Sequence, residues 1–114
     1  MDIFYAIAEP TRRTIIEMLA KKGRLSATDI SDEFSMSAPA ISQHLKVLRE
    51  ANLVYVEKQG QQRIYQLDMN ALYDIERWTH QMTHTWNERF DRLNKVLEVE
   101  KKKLLVSKKK YHGK

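Results

Sequence analysis

Cysteine is absent from this chain. Disulfides, thiolate metal centres and cysteine nucleophiles are thereby excluded, and a reducing compartment, the cytoplasm, is the expected location. Glycine is nearly absent too: its three occurrences are too few for phosphate-cradling loops, and no G-x-S-x-G, P-loop or H-E-x-x-H pattern is present. No enzymatic activity, catalytic residue or cofactor is therefore expected. Long apolar runs are missing as well. Nothing approaches the roughly 20 residues of a membrane span, and the N-terminus has no basic region followed by a hydrophobic one, so neither membrane insertion nor export is expected.

What is present is charge, unevenly placed. The formal net charge is +5, but seven of the twenty basic residues lie within residues 101–114, which hold no acid. The first 100 residues carry 13 basic and 15 acidic groups and are mildly acidic. A nucleic-acid reader with such a body must gather its positive charge on one face, for which Arg12, Arg13, Lys46, Arg49, Lys58 and Arg63 are available. The basic tail either adds nonspecific phosphate affinity or is a solvated, frayed terminus.

The stretch from Ser26 to Val56 organises the chain. Ser26 with Asp29 three residues on is a capping-box start, after which Ala27, Ile30 and Phe34 fall on one helical face. Residues 34–37 break that pattern. Ser35 or Ser37 can cap a second helix that carries Pro39 in its first turn and runs to about Ala51. Ile41, Leu45 and Leu48 form its apolar stripe, leaving Pro39, Ser42, Gln43, Lys46 and Glu50 on the other side. Helix, short turn, helix is the helix-turn-helix layout, whose second member enters the major groove by its N-terminal half. Ser37, Pro39, Ser42, Gln43, His44 and Lys46 are the expected contacts there; glutamine suits adenine, lysine suits guanine or phosphate. The same face is also what any amphipathic helix of a bundle would show.

Upstream, Ile3, Phe4 and Ile7 suggest a short helix over residues 2–8, followed by a helix that opens at Pro10 and stops at Gly23, with Ile15, Ile16, Met18 and Leu19 inward. Arg12 and Arg13 oppose the dipole at the start of that helix and need a partner, either a phosphate or a local acid such as Glu9 or Glu17. Downstream, Asn52 tolerates the left-handed conformation of a helix stop. Leu53–Lys58 and Arg63–Leu67 read as strands of a hairpin with Gln59-Gly60-Gln61-Gln62 at its tip. Such a wing, with Gln61 and Arg63, is expected to touch backbone or minor groove unless it only closes the core.

From Asn70 a long helix is expected. Leu72, Ile75, Trp78, Met82, Trp86, Phe90, Leu93 and Leu97 recur at intervals of three and four. So small a domain cannot cover that stripe alone, and a homodimer interface is expected over Ile75, Trp78, Met82, Trp86 and Phe90, with Phe4 of the first helix contributing. Two-fold pairing would hold two recognition helices about 34 Å apart on near-palindromic double-stranded DNA. The opposite face aligns Glu76, His80, His84 and Glu88; His80 and His84 have the spacing of a metal pair, but a plain polar face is the expected reading and no metal site is assigned.

The expected fold is thus mainly α with a small β-hairpin: a winged helix-turn-helix region over residues 1–69, a long dimerisation helix over 70–100 and a basic tail over 101–114. The segment FYAIAEPTRR (4–13), the run from Ala40 to Val54 with Ser42, His44, Leu45, Leu48, Ala51, Leu53 and Val54 in an S-x-H-L-x-x-L-x-x-A-x-L-V pattern, and the hairpin ending Tyr65-Gln66-Leu67 resemble the ArsR family of bacterial winged-helix repressors. The resemblance covers about the first 70 residues and extends loosely into the long helix, where residues 86–93 are similar to a cysteine-free, autorepressor-like branch. It implies a homodimeric, sequence-specific transcriptional repressor released by an inducer or a partner protein. Asn52 stands in place of the usual glycine, and Glu9 in place of the usual aspartate before proline. Metal-sensing members carry paired cysteines where this chain has Thr28-Asp29-Ile30-Ser31, and the long helix lacks their Asp-x-His and His-x-x-Glu ligands, so the resemblance implies an inducer not sensed by cysteine. Two other readings stay open: a protein-interaction module using the long helix and tail, with weak DNA binding, and nonspecific nucleic-acid binding by the tail alone.

Overall fold

In a computed structural model of the chain, the backbone of residues 2–112 and the side chains of residues 2–106 are described. Two compact units result, Met1–Ile75 and Glu76–Lys114. The first contains α1 (Ile3–Ala8), α2 (Pro10–Lys22), β1 (Leu25–Ser26), α3 (Ala27–Asp32), α4 (Ala38–Glu50), β2 (Val54–Gln59), β3 (Gln62–Leu67) and the opening turns of α5 (Met69–His112).

Local chemistry sets most of these boundaries. Asp2 caps α1 by accepting from the Phe4 amide at 3.2 Å, and Glu9 caps α2 by accepting from the Arg12 amide at 3.0 Å, with Pro10 first in the helix. Gly23, at φ 83°, ends α2 by donating its N–H to the Leu19 carbonyl at 2.8 Å. The Ser26–Asp29 capping box is formed in both directions: the Asp29 amide donates to Ser26 Oγ at 3.0 Å, and the Ser26 amide to Asp29 Oδ2 at 3.4 Å. Of the two serines able to cap α4, Ser37 does so, accepting from the Ala40 amide at 3.3 Å.

Asn52 is the one non-glycine residue at positive φ, 59°, among the described residues. Around it the Leu53 amide donates to Leu48 O and the Asn52 amide to Arg49 O, both at 3.0 Å, the paired bonds of a Schellman stop. Leu48 and Leu53 are both fully buried, which supplies the apolar contact that goes with this motif. The chain thus leaves α4 directly into β2. β2 and β3 pair antiparallel from Val54↔Leu67 to Gln59↔Gln62, joined by Gly60 and Gln61. Gly60 has φ 61° while Gln61 keeps a negative φ, the pattern of a type II′ hairpin turn.

Two features depart from expectation. A third strand, β1, pairs with β3 through Leu25↔Tyr65 and Ser26↔Ile64, giving the order β1-β3-β2. Two residues are too short a run to show a period of two. Tyrosines 55, 65 and 73 would by their place on strands and helix be expected to pack inward, but only Tyr65 is buried; Tyr55 and Tyr73 are exposed, Tyr55 donating its hydroxyl to Gln66 Oε1 at 3.0 Å.

The core gathers Ile15 and Leu19 of α2, Ile30 of α3, Ile41, Leu45 and Leu48 of α4, and Leu53, with Ala6 and Ala71 from either end of the unit. Each large side chain among these contributes about 1.5 to 3 kcal/mol by burial. Leu72 and Ile75 pack partly against the same core. In the second unit every described side chain is exposed. Its helical backbone continues to His112, into the expected basic tail, whose last two residues and whose side chains from Ser107 onward lie outside the described residues. No helix among the described residues is long and apolar enough to cross a membrane.

The strain at Asn52 can be measured. Asn52→Ala should lower stability by about 1 kcal/mol and Asn52→Gly should match or exceed the wild type, read as shifts of the urea midpoint at constant slope.

Candidate nucleic-acid interface

The polar face of α4 is built as its periodicity requires. Ile41, Leu45 and Leu48 point inward, which turns Ser42, Gln43 and Lys46 to solvent, with Pro39 and the capping Ser37 exposed at the helix start. Ser42 and Arg63 line one open cleft of about 410 Å³, together with Thr28, Ser31 and Asp32 of α3. Residues of α4, α3 and β3 therefore share a surface.

On the wing, Lys58 and Arg63 are directly opposite each other in the β2–β3 register, and both are exposed. Like charges across a strand pair repel. The nearest acidic neighbour along the strand, Glu57, is engaged by Arg24 at 3.5 Å, and neither Lys58 nor Arg63 is ion-paired among the described residues. Gln61 is exposed at the tip.

The arginines of α2 do not join this surface as expected. Arg12 is only 8% exposed. Its Nε donates to Ala6 O at 2.6 Å, its Nη2 to Tyr5 O at 3.3 Å, and its guanidinium carbon lies 5.3 Å from the Tyr5 ring centroid. Arg13 stays exposed, but its Nη1 donates to Ile7 O at 2.8 Å and Ala8 O at 2.9 Å. The two side chains together satisfy the last four carbonyls of α1, the groups that a helix C-terminus leaves without partners. The partner that these arginines find within the chain is the negative end of the preceding helix rather than Glu17. Buried, and engaged at all three nitrogens inside the fold, Arg12 is not placed to hold a phosphate.

His44 is likewise turned away from Gln43 and Lys46. It is half-buried, its Nδ1 lies 3.3 Å from Arg12 Nη1, and the same nitrogen lies 3.9 Å from Glu9 Oε2. Desolvation pushes the Glu9 carboxyl up, but the Arg12 amide bond and the neighbouring His44 outweigh it, holding the carboxyl below its ordinary value. Of the signals in the sequence, only the position of His44 beside the apolar stripe hinted at this.

The residues expected at a dimer interface are dispersed. Ile75 packs partly on the core of its own chain and Phe4 is exposed on α1. Trp78, Met82, Trp86 and Phe90 are exposed on the second unit, Trp86 at 65%. On the opposite side His84 Nε2 approaches Glu88 Oε1 at 3.1 Å, one turn on, and His80 is exposed. No group of three or more potential metal ligands gathers among the described residues.

Comparison with known proteins agrees with this geometry. Residues 9–56 match the family described as bacterial regulatory protein, arsR family. The transcriptional repressor SdpR of Bacillus subtilis (strain 168) is 39% identical over 77 residues, 68% of this chain and 84% of its own length. The HTH-type transcriptional regulator Rv2034 of Mycobacterium tuberculosis is 43% identical over 83 residues, 68% of this chain and 77% of its own. Among solved structures, an ArsR-like transcriptional regulator from Rhodococcus sp. RHA1 superposes with a TM-score of 0.76 at 25% identity, covering 84% of this chain and 87% of that one.

Glu9 provides a test of the α1–α2–α4 junction. A carboxyl held below its unfolded value contributes stability above that value and loses it as pH falls through the lower, native one. Glu9→Gln should therefore be less stable than wild type near neutrality and converge with it in acid, in urea denaturation followed against pH.

Proposed function

The chain belongs to the ArsR family of bacterial regulatory proteins and is a DNA-binding transcriptional regulator; from that premise we propose a homodimeric, cytoplasmic repressor that reads a near-palindromic operator through α4. The observation that carries this reading is the exposed Ser42, Gln43 and Lys46 beside an unneutralised, cross-strand Lys58–Arg63 pair. Polar groups of α4 supply hydrogen bonds to base edges, Gln43 suiting adenine. The wing supplies backbone contacts through Arg63 and Gln61, and a phosphate between Lys58 and Arg63 relieves their mutual repulsion. Ser37 and Pro39 bring the start of α4 close to the backbone.

Dimerisation rests on α5. Ile75, Trp86 and Leu97 recur every eleven residues, as do Met82, Leu93 and Leu104. An eleven-residue period matches about 3.67 residues per turn, so the stripe stays on one side of a nearly straight helix and suits a second copy packed along it. Phe4 adds apolar surface on α1. Release from DNA falls to an inducer or partner protein that no cysteine senses. No metal, cofactor or catalytic step is part of the proposal, and the lysine-rich tail contributes nonspecific phosphate attraction at most.

The test is a titration against the DNA upstream of the protein's own gene at two salt concentrations, with random competitor. Tight, competitor-resistant binding by two protomers is expected; equal competition by random DNA would move the function to the tail. Within that assay, Gln43→Ala should relax sequence preference by about 1 to 3 kcal/mol, whereas Arg63→Ala should weaken all sequences alike and flatten the salt slope by about one. Separately, Trp86→Glu should shift the protein to monomers in sedimentation equilibrium and weaken operator binding while far-UV circular dichroism shows the helices retained, the urea midpoint falling by the dimer's share of stability. A wild type that sediments as a monomer would assign the stripe to another protein instead.

A further inference from the structure

We propose that Arg12 and His44 are positioning residues for DNA reading: the buried guanidinium, fixed on α1, grips α4 by its histidine and sets the angle at which α4 presents Gln43. This rests on α4 being the groove-reading helix.

The geometry is directional at each link. Arg12 Nε and Nη2 are held by the Ala6 and Tyr5 carbonyls at 2.6 and 3.3 Å, and Tyr5 covers one face of the group at 5.3 Å. A planar guanidinium anchored at two nitrogens has no freedom left at the third. Nη1 therefore points in a set direction, and 3.3 Å along it lies His44 Nδ1. Arginine has no acceptor, so it donates, and His44 Nδ1 presents its lone pair with the ring proton on Nε2. His44 follows Gln43 directly in α4. Fixing one side chain fixes the rotation of the helix that carries the other.

The apolar contacts of α4 cannot do this alone. Ile41, Leu45 and Leu48 hold the helix against the core, but burial is non-directional and a small roll about the helix axis costs it little. A hydrogen bond to a fixed donor resists that roll. Glu9 Oε2, 3.9 Å from the same Nδ1, is the partner that a proton on this nitrogen would select, so the tautomer of one ring decides whether α4 is tied to α1 through Arg12 or to the α2 cap. α1, α2 and the N-terminal half of α4 thus form one reading unit, and Arg12 acts on DNA without reaching it.

The experiment uses the full chain and the upstream duplex defined above, with random duplex in parallel. His44→Leu should weaken specific binding at least tenfold, leave random-duplex binding within twofold, and leave the salt slope unchanged. His44→Asn, whose amide oxygen can replace Nδ1 as acceptor, should recover most of the loss. In an Arg12→Met background, His44→Leu should add less than a twofold further loss, because the contact is already gone. Equal losses with and without Arg12 would place His44 directly on DNA and overturn the proposal, as would wild-type binding by His44→Leu. Should Arg12→Met not fold, the ring nitrogens of His44 in the DNA-free protein decide by 15N NMR: a hydrogen-bonded, unprotonated Nδ1 supports the proposal and a protonated one overturns it. Failure of the α4 reading itself looks different, because Gln43→Ala would then leave sequence preference intact.

Discussion

The last four carbonyls of a six-residue helix set much of this architecture. α1 is too short to be stable by itself, and its C-terminus would be an unsatisfied negative pole inside the domain. Arg12 and Arg13, placed one turn into the next helix, answer all four carbonyls. Hydrogen bonds from charged donors contribute about 1.5 to 3 kcal/mol each, which outweighs the few tenths lost by setting two cations at the start of α2. Arg12 is a buried charge made tolerable by carbonyl dipoles and an aromatic face. The angle between α1 and α2 follows from that arrangement, and α4 is tied to it through His44.

α4 divides its duties cleanly by face. Three aliphatic residues hold it, and the Schellman stop at Asn52 passes the chain straight into β2 without slack, so that helix and wing are joined by a rigid corner. The wing in turn keeps a repulsive cationic pair across its strands. A sequence selected for stability alone would place opposite charges there; a local rule broken without a compensating contact is what a surface awaiting a polyanion looks like.

How much of this could be read from the sequence depended on distance along the chain. The cap at Ser26, the stops at Gly23 and Asn52, and the turn at Gly60 are legible because each is decided by residues within four positions, which for the cap of α4 leaves two serines, Ser35 and Ser37, to choose between. The core of α4 is legible because the helical period repeats it, whereas of the four α2 residues expected inward Ile15 and Leu19 are buried, Ile16 packs partly on the core and Met18 lies outside it. Three features are not legible. β1 is two residues long and owes its existence to β3, some forty residues away. The position of Arg12 calls for a partner, but backbone carbonyls leave no signature in side-chain identity, so the sequence does not distinguish them from a phosphate or a local acid. His44 sat among outward-facing neighbours, and its inward turn follows from a guanidinium whose own position depends on α1. Ser42 of α4 and Arg63 of the wing line one cleft, whereas of the two α2 arginines Arg12 is buried and Arg13 stays exposed.

Ser26 holds two appointments at once. It is the final residue of β1, paired with Ile64, and it is the cap whose hydroxyl and amide close the capping box of α3. Sheet edge and helix start are therefore a single joint, buried to 6% exposure. An inserted residue between Leu25 and Ser26 would uncouple the strand register from the helix start, whereas one between Gly23 and Leu25 would leave the joint intact.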